Sequence, residues 1–470
     1  MRKEDQSRVL SEVRKRVVDV AATSDDVSGI VQRSIDAESK RLDKEPLSLR
    51  SLSDRGFWFG LQLRLRWGGE AAARDALWAI VSNYAEEVCG DFDPVAYEVA
   101  LRLLPPALRV LLSSSQISEL PDKLLQDRHD RIVLDGHTQE VQRLHEANTL
   151  VFAPTHHSNL DSIVLGLALN RLGVPPLIYG AGINLLGNPV MSLFMHNFGA
   201  YTVDRRKTDP LYRDVLKEYV VVTLEQGYHH LFFPGGTRSR SGELESQLKL
   251  GLLGSSARAR LNLLAEESAR RVLVVPVILS YELVPEAESL VGTEAENSSR
   301  FAEFAQRLLA LDSQIHVVFG EPIDVDGSVP GQLPADDLVR LLSEAPRKAT
   351  ASLGTALVNA YQRYNYVQPT NIVAFALRSE LADGERAAAR DALEHRLEGL
   401  LYRLRDLERR GALRIPEAPD DAHGLLLAAD TAFASYHHRR AVAVEAATVH
   451  TESPELLEYY ANRLNGYGLA

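Results

Sequence analysis

The sequence predicts an α/β protein with a central, mostly parallel or mixed sheet flanked by helices, and with N-terminal and C-terminal helical regions. Between about residues 127 and 327, apolar runs of strand length alternate with longer stretches of helical spacing. Such alternation is typical of a substantially parallel sheet that helices cover on both faces. Before and after this part, apolar residues recur at three- and four-residue spacing, which indicates amphipathic helices.

The length of 470 residues suggests about three domains, or one large domain with helical additions. We predict an N-terminal helical region at 1–125, an α/β domain at 126–330 and a C-terminal helical region at 331–470. The predicted strands of the α/β domain are Ile132–Leu134, Leu150–Ala153, Pro176–Tyr179, Tyr201–Val203, His230–Phe233, Val272–Val277 and Ile315–Phe319. Helices are predicted between several of them, at Ile163–Leu172, Leu211–Glu225 and Leu248–Glu267.

The stretch Thr149–Ser162 carries the first sign of chemistry. Its apolar run predicts a strand that ends just before a histidine pair, and a run of helical character follows. In one uninterrupted helix, His156 and Asp161 would lie roughly 140° apart around the axis, so only a turn brings them together. Across such a turn, Asp161 would accept a hydrogen bond from one ring nitrogen of His156 and leave the other nitrogen as a general base.

Other interpretations of this stretch remain open. Ser158-Asn159-Leu160-Asp161 has the form of a capping box, in which Asp161 would only accept hydrogen bonds from free amides at a helix start. A metal site would use His156 and His157. These residues are adjacent, however, and no His-x-x-x-His or cysteine pair accompanies them, so we predict no metal. A nucleophilic serine is not indicated, because the Gly-x-Ser-x-Gly elbow is absent from the sequence.

A first basic segment follows the predicted strand Tyr201–Val203. It reads Asp204-Arg205-Arg206-Lys207 and places three cations directly after the strand. A guanidinium offers a fork of donors that matches phosphate oxygens, so Arg205 is a candidate to hold a phosphorylated substrate. The alternative is a basic surface turn.

A second basic segment follows the predicted strand His230–Phe233. After Pro234, two glycines allow backbone amides to approach a ligand closely, and hydroxyls and arginines come next. The residues of this candidate anion-binding loop are Gly235, Gly236, Thr237, Arg238, Ser239 and Arg240. The spacing is not that of a nucleotide P-loop, and no Gly-x-Gly-x-x-Gly follows a strand, so no nucleotide cofactor is predicted. A glycine turn with exposed arginines is the alternative.

The run Val272–Glu282 predicts a buried strand that contains Pro276. Because proline cannot donate a hydrogen bond to a sheet, we predict that this strand is irregular or lies at an edge near Pro276. Its predicted role is packing that shapes the wall of the site.

Composition excludes several classes of protein. The formal net charge of −12 argues against general nucleic-acid binding, and the single cysteine rules out an internal disulfide. The charged N-terminus leads into no signal-peptide core, and no apolar run reaches the roughly 18 residues needed to cross a bilayer.

Two segments, 57–67 and 99–112, combine arginines with aromatic or apolar residues, which suits the headgroup boundary of a membrane. Packing on the α/β domain is the alternative for both.

In this order, the segments resemble the four sequence blocks of the glycerol-3-phosphate acyltransferase family. The blocks correspond to His156–Asp161, Gly199–Arg205, Gly236–Arg240 and Val275–Tyr281. The sequence around Lys249 and Gly251 is similar to a Lys-x-Gly segment of the large bacterial and mitochondrial branch. Residues 359–377 and 458–462 are similar to that branch too, although the resemblance is strongest over about 130–290.

The resemblance implies transfer of a fatty acyl group from an acyl thioester, acyl-CoA or acyl-carrier protein, to the sn-1 hydroxyl of glycerol 3-phosphate. The product would be lysophosphatidic acid, formed by a membrane-peripheral enzyme at the cytoplasmic face of the cell's inner membrane. His156 would be the base and Asp161 would orient it. The phosphate would be held by Arg205, Arg238, Ser239, Arg240 and Lys249, while Gly199, Gly235, Gly236, Thr237 and Pro276 would shape the site.

Two departures from the family blocks affect the acceptor. The third block usually carries a glutamate at the position of Gly235, and Asp204 stands where this branch often has an arginine. Lysophosphatidate or dihydroxyacetone phosphate therefore remain alternative acceptors. A non-catalytic protein that binds a phosphoanion or lipid and a metal-dependent phosphohydrolase are alternatives from other classes.

Overall fold

The computed structural model describes residues 3–90, 92, 132–182, 199–292, 314–437 and 439–469. Its centre is an eight-stranded mixed sheet with helices on both faces, so the predicted fold class is confirmed. The predicted boundary near residue 125 lies outside the described residues, and the division into three domains stays a prediction.

The strands of the main sheet are arranged in the order β1-β7-β6-β2-β5-β3-β4, with β8 pairing beside β6. Their bounds are β1 Ile132–Gly136, β2 Thr149–Pro154, β3 Ile178–Gly182, β4 Ala200–Val203, β5 His230–Leu231, β6 Val272–Tyr281, β7 Ile315–Phe319 and β8 Ile323–Asp324. The five strands β6, β2, β5, β3 and β4 run parallel to one another, whereas β7 is antiparallel to β6. The carboxyl ends of β2, β4 and β5 therefore meet at one edge, where ligands of such sheets bind.

Helices make up most of the remaining described structure. Those before and between the strands of the main sheet are α1 Lys3–Ala22, α2 Val27–Leu42, α3 Leu49–Val88, α4 Thr138–Leu144, α5 Asp161–Arg171, α6 Pro210–Glu225, α7 Leu250–Ala265 and α8 Ala287–Val291. After the sheet come α9 Ala335–Glu344, α10 Pro346–Arg363, α11 Pro369–Glu380, α12 Arg390–Arg409, α13 Ala422–Tyr436 and α14 Pro454–Ala461, with a 3₁₀ turn at Asn462–Leu464.

The two faces of the sheet belong to two hydrophobic cores, because successive side chains of a strand point to opposite faces. On β2, Leu150 and Phe152 enter one core, and Val151 and Ala153 enter the other. The first core is completed by α5 and by helices α11 to α14, and the second by α1 to α3, α6, α7, α9 and α10. The N-terminal helices and most of the C-terminal helices thus cover opposite faces of the sheet.

The prediction of an irregular or edge strand at Pro276 is wrong, because β6 is a continuous ten-residue strand inside the sheet. On one side, Pro276 lies opposite Ala153 of β2. On the other side, β8 pairs with Leu273 and Val274, and β7 pairs only from Val277 onward. The proline lies where the neighbouring strand changes, so its missing N–H removes no ladder hydrogen bond on that side.

The C-terminal region contains a feature that its helical pattern did not predict. Three short strands, β9 Ala387–Ala389, β10 Ala443–Val444 and β11 Thr448–His450, form a small antiparallel sheet in the order β10-β11-β9. The strand β9 consists of three alanines, which have low strand propensity, and its partner lies about sixty residues away in sequence. Pairing between distant segments leaves no local signature of the kind used above.

Helix α3 contains the aromatic and basic segment 57–67 and bends at Gly69, whose φ of 60° is not helical. Trp58 and Leu61 are buried in the second core, whereas Phe59, Leu63 and Trp67 are exposed. The packing alternative is therefore confirmed for one side of the segment, whereas membrane contact of the exposed side stays a prediction. The segment 99–112 lies outside the described residues. Among the described helices, none is both long enough and apolar enough to span a bilayer.

Candidate active site

The His156–Asp161 turn joins the carboxyl end of β2 to the start of α5 and brings the two side chains into contact. His156 Nδ1 lies 2.9 Å from Asp161 Oδ2. Because a carboxylate accepts, Nδ1 carries the proton of a neutral ring and Nε2 has a free lone pair. The ring stacks on Phe233 at 4.0 Å between centroids, and the side chain is 19% exposed. The turn therefore fixes the tautomer that a general base requires.

The buried Asp161 carboxylate both orients the histidine and binds backbone amides of the turn that precedes α5. Besides His156, Oδ2 accepts from the backbone N–H of His157 at 2.7 Å and of Ser158 at 3.0 Å. Oδ1 accepts from the hydroxyl of Tyr281 at 2.7 Å. Burial, followed by the Asp161 charge, raises the pKa of Tyr281, so this hydroxyl keeps its proton and donates. The predicted capping box does not form, because α5 begins after Leu160 without a side-chain cap, and Asp161 instead binds the turn amides and the histidine.

The backbone of His156 is held on both sides by the segment that follows β5. The N–H of Ser239 donates to His156 O at 2.8 Å, and the N–H of His156 donates to Glu245 Oε1 at 2.6 Å. Burial raises the pKa of Glu245 to about 7. The candidate anion-binding loop is therefore fixed directly against the candidate base.

Two predicted phosphate ligands converge on Gly236 in this loop. Arg205 Nη2 donates to Gly236 O at 2.7 Å. Lys249 crosses the other side of the glycine, where a Cβ at position 236 would lie 2.7 Å from its Nζ. Gly236 also has a φ of +75°, which strains any residue with a side chain. Glycine at 236 thus permits both the loop conformation and the approach of Lys249.

The neighbouring cations, Arg206 and Lys207, are occupied elsewhere. Arg206 binds Asp204 through two nitrogens, at 2.9 and 2.7 Å. Burial would raise the pKa of Asp204, but the hydrogen bonds from Arg206 lower it. Lys207 is buried and forms ion pairs with Glu87 at 2.6 Å and Glu38 at 3.3 Å. Of the three cations, Arg205 is the one that contacts the loop.

The remaining loop residues differ in their positions. Arg238 lies 3.8 Å from Glu286, which in turn accepts from the Ser158 hydroxyl and the Asn159 amide, each at 2.9 Å. Thr237 and Arg240 are exposed, and the Ser239 hydroxyl donates to Glu243 O. The structure thus connects Arg238 to the histidine turn through a carboxylate.

Two predicted site-shaping glycines have different surroundings. Gly199 lies at the amino end of β4 with a φ of +82°, and a Cβ there would be 3.2 Å from Leu177 O. It turns the chain into β4, at the end of that strand away from Arg205, so it shapes the sheet rather than the site. At Gly235, a Cβ would be 2.8 Å from Cγ of Glu245. The side chain of Glu245 fills the space beside this glycine.

His157 points away from the site and is buried. Its Nε2 lies 2.6 Å from Arg463 Nη1 of the 3₁₀ turn. Burial and the nearby Arg463 charge lower the pKa of His157 well below its usual value, so the neutral ring accepts from the guanidinium. Arg463 also donates to Asn365 Oδ1 at 2.6 Å. In the described part of the chain, no cluster of three His, Cys, Asp or Glu side chains is suited to a metal ion.

Sequence reasoning missed four residues that support the turn. Tyr281 ends the fourth block, and Arg463 directly follows the similar segment 458–462, so their positions next to recognised segments were the available signal. Glu286 and Glu245 lie outside any block, and their carboxylates come close to the turn only through folding. These four positions are Glu245, Tyr281, Glu286 and Arg463.

Comparison with known proteins defines the class of this site. Residues 137–280, which include the histidine turn and the glycine loop, match the family model described as Acyltransferase, so this part is an acyltransferase domain. Residues 293–464 match a model described as the glycerol-3-phosphate acyltransferase C-terminal region. Together, the two matches support the assignment of this chain to the glycerol-3-phosphate acyltransferase family.

Three relatives show the extent of the similarity. The glycerol-3-phosphate acyltransferase of Pseudomonas putida is 31% identical over 273 residues, which are 54% of this chain and 32% of that protein. The one of Pseudomonas fluorescens is 30% identical over 269 residues, covering 54% of this chain and 31% of that protein. The one of Shewanella loihica is 27% identical over 356 residues, covering 74% and 41%. The chain thus spans less than half the length of each relative.

Proposed function

We propose that the protein transfers an acyl group from an acyl thioester, acyl-CoA or acyl-carrier protein, to the sn-1 hydroxyl of glycerol 3-phosphate. The observation that carries this proposal is the contact between the His156 turn and the loop at Gly236, which gathers Arg205 and Lys249. This contact supports the proposal, because it brings the candidate base and the two candidate phosphate ligands to the same loop. The names of the relatives support the choice of acceptor.

In the proposed reaction, the phosphate of the acceptor binds Arg205 and Lys249, and Nε2 of His156 takes the proton of the 1-hydroxyl. The hydroxyl oxygen attacks the thioester carbonyl, an ester C–O bond forms, and the C–S bond breaks. The departing thiolate receives the proton from the imidazolium, so the products are lysophosphatidate and a thiol. Asp161 stabilises the transient imidazolium through Nδ1. A thiolate is a good leaving group, so positioning and one base suffice without a covalent acyl-enzyme.

An acceptor-competition assay tests this reaction. Purified protein receives labelled acyl-CoA, or acyl-carrier protein, with glycerol 3-phosphate, lysophosphatidate and dihydroxyacetone phosphate in competition. We expect 1-acyl lysophosphatidate as the main product. Transfer only to one of the other acceptors would replace the proposed substrate, and tight binding of glycerol 3-phosphate without thioester consumption would indicate a binding protein. Activity that a chelator abolishes would instead indicate metal chemistry.

Replacing Arg205 or Lys249 by alanine is expected to raise KM for glycerol 3-phosphate more than it lowers kcat. A hydrogen bond to a charged group contributes about 1.5–3 kcal/mol, so KM should rise about 10-fold to 100-fold. The measurement is steady-state kinetics with glycerol 3-phosphate as the varied substrate. Arg143→Ala is the matched control, because Arg143 is 76% exposed and far from the loop in sequence. Unchanged KM in both variants would contradict the phosphate-binding role.

We further propose that the exposed side of α3 binds the headgroup region of a bilayer containing anionic lipid at the cytoplasmic face of the cell membrane. The 100° rotation per helical residue places Leu49, Leu52, Phe59, Leu63 and Trp67 within an arc of about 80°. The exposed Arg64 and Arg66 flank this arc. Apolar side chains can enter the acyl boundary while the arginines reach lipid phosphates. A row of exposed apolar side chains rimmed by charged residues is typical of a membrane or protein interaction site.

Replacing Phe59, Leu63 and Trp67 together by serine is expected to release the protein from vesicles. Full burial of each such side chain contributes about 1.5–3 kcal/mol, so even partial insertion predicts a loss of binding of about 10-fold or more. The measurement is sedimentation with phosphatidylglycerol-containing vesicles, and plain phosphatidylcholine vesicles should bind less. Tyr402→Ser is the control, because Tyr402 is 74% exposed on another helix. Unchanged sedimentation, or a change from dimer to monomer without vesicles, would assign the stripe to another role.

A further inference from the structure

The side chain of Glu245 lies beside the candidate base, but the reaction proposed above assigns it no role. It lies in the segment between the glycine loop and α7, and its carboxylate returns to the carboxyl end of β2. There Oε1 accepts the His156 N–H at 2.6 Å. In the described part of the chain, the buried Oε2 has no hydrogen-bond partner. Burying a carboxylate in this way is costly, so its placement beside the base indicates a function.

The space beside Gly235 links this carboxylate to the loop. A Cβ built on Gly235 would be 2.8 Å from Cγ of Glu245 and 3.4 Å from its Oε1. The backbone of Gly235 does not have a positive φ, so its conformation allows a side chain. The obstacle to a side chain at 235 is therefore Glu245 itself. A side chain at position 235 would need the space that the side chain of Glu245 now fills.

We propose that Glu245 is a positioning residue, whose carboxylate lies beside Gly235 and fixes the His156 turn. A glutamate at position 235 can take over this role only when the residue at position 245 is small. Through the His156 N–H, Glu245 holds the backbone whose carbonyl is bound by Ser239. With both backbone groups held, the imidazole keeps its contacts with Asp161 and Phe233. The kinetic part of this inference rests on the proposed function, whereas the exchange of the two positions does not.

A set of four variants tests the proposal by kinetics. Glu245→Ala should lower kcat by about 10-fold to 100-fold, because small misplacements of a reacting group have effects of this size. KM for glycerol 3-phosphate should change much less, since Arg205 and Lys249 remain. Glu245→Gln should retain most of the activity, because its amide oxygen still accepts the His156 N–H. Gly235→Glu alone should be impaired by crowding, and Gly235→Glu combined with Glu245→Ala should recover activity relative to Glu245→Ala.

A second measurement does not depend on turnover. Diethyl pyrocarbonate modifies accessible imidazoles, so mass spectrometry can follow its reaction at His156, with the 69%-exposed ring of His423 as the internal reference. We expect faster labelling of His156 in Glu245→Ala and a return towards the wild-type rate in the double variant. Glu398→Ala, at a 70%-exposed position, is the matched control and should match wild type in both assays.

The outcomes separate the two hypotheses. An inactive wild type whose His156 labelling still responds to position 245, and is restored by Gly235→Glu, would reject the proposed reaction and keep the positioning role. An active wild type with unchanged kcat and labelling in Glu245→Ala would reject the positioning role and keep the reaction. A folded double variant no better than Glu245→Ala in either assay would reject the exchange of the two positions.

Discussion

Replacing His156 by alanine is expected to lower kcat for acyl transfer by about 10²-fold to 10⁴-fold, the usual contribution of a positioned general base. The substitution removes Nε2 as the proton acceptor but leaves Arg205 and Lys249 in place. KM for glycerol 3-phosphate should therefore change little. The measurement is steady-state turnover of acyl-CoA with glycerol 3-phosphate, with thermal unfolding recorded to show that the variant is folded.

The control for this substitution is His395→Ala, because the side chain of His395 is 91% exposed on α12. It should keep wild-type kcat and KM. Turnover by a folded His156→Ala variant equal to wild type would contradict the proposed mechanism, because the variant has no imidazole to take the proton of the acceptor hydroxyl.

Replacing Arg463 by alanine is expected to lower the free energy of unfolding by about 3 kcal/mol or more. Arg463 is buried, and its loss leaves the acceptors of His157, Asn365 and Leu279 without their donor. Each buried polar group left without a partner costs about 1–3 kcal/mol, and the cavity adds to this. The measurement is the shift of the urea midpoint and of the thermal midpoint relative to wild type. Midpoints are compared because a chain of this size is not expected to unfold in a single step.

Arg410→Ala is the comparison for this stability prediction, since Arg410 is 72% exposed and its ion pair with Asp406 lies at the surface. It should shift neither midpoint measurably, because exposed ion pairs contribute about 0–1 kcal/mol. Midpoints of Arg463→Ala that equal those of wild type would show that the buried guanidinium does not stabilise the site.

The central sheet could be predicted from the sequence because its strands leave a local signal. Runs such as Leu150–Ala153 and Ile315–Phe319 are apolar throughout, as expected for strands buried on both faces. The prediction for Pro276 was wrong because the missing N–H of a proline affects only the side of the strand to which that N–H would point. The information that was lacking is where β8 ends and β7 begins opposite β6, and that depends on the whole fold.

The site was predictable to a similar degree. The contact between His156 and Asp161 follows from local spacing, since a turn of five residues leaves few arrangements. The partners of the cations do not follow from local spacing, because Arg205 and Lys207 look equivalent in sequence. Lys207 is removed from the site by Glu38 and Glu87, which lie on two N-terminal helices more than a hundred residues earlier. Burial of an ion pair is decided by such distant packing.

The hydrogen bond between His157 and Arg463 spans 306 positions of the sequence. During synthesis, the turn after β2 is made long before Arg463, whose guanidinium donates to His157 in that turn. Contacts of such high sequence separation form late, because the intervening chain must be ordered first. The candidate site therefore acquires its complete set of hydrogen bonds only after residue 463 has been synthesised. A nascent chain that stalls earlier contains the histidine turn without the hydrogen bond from Arg463.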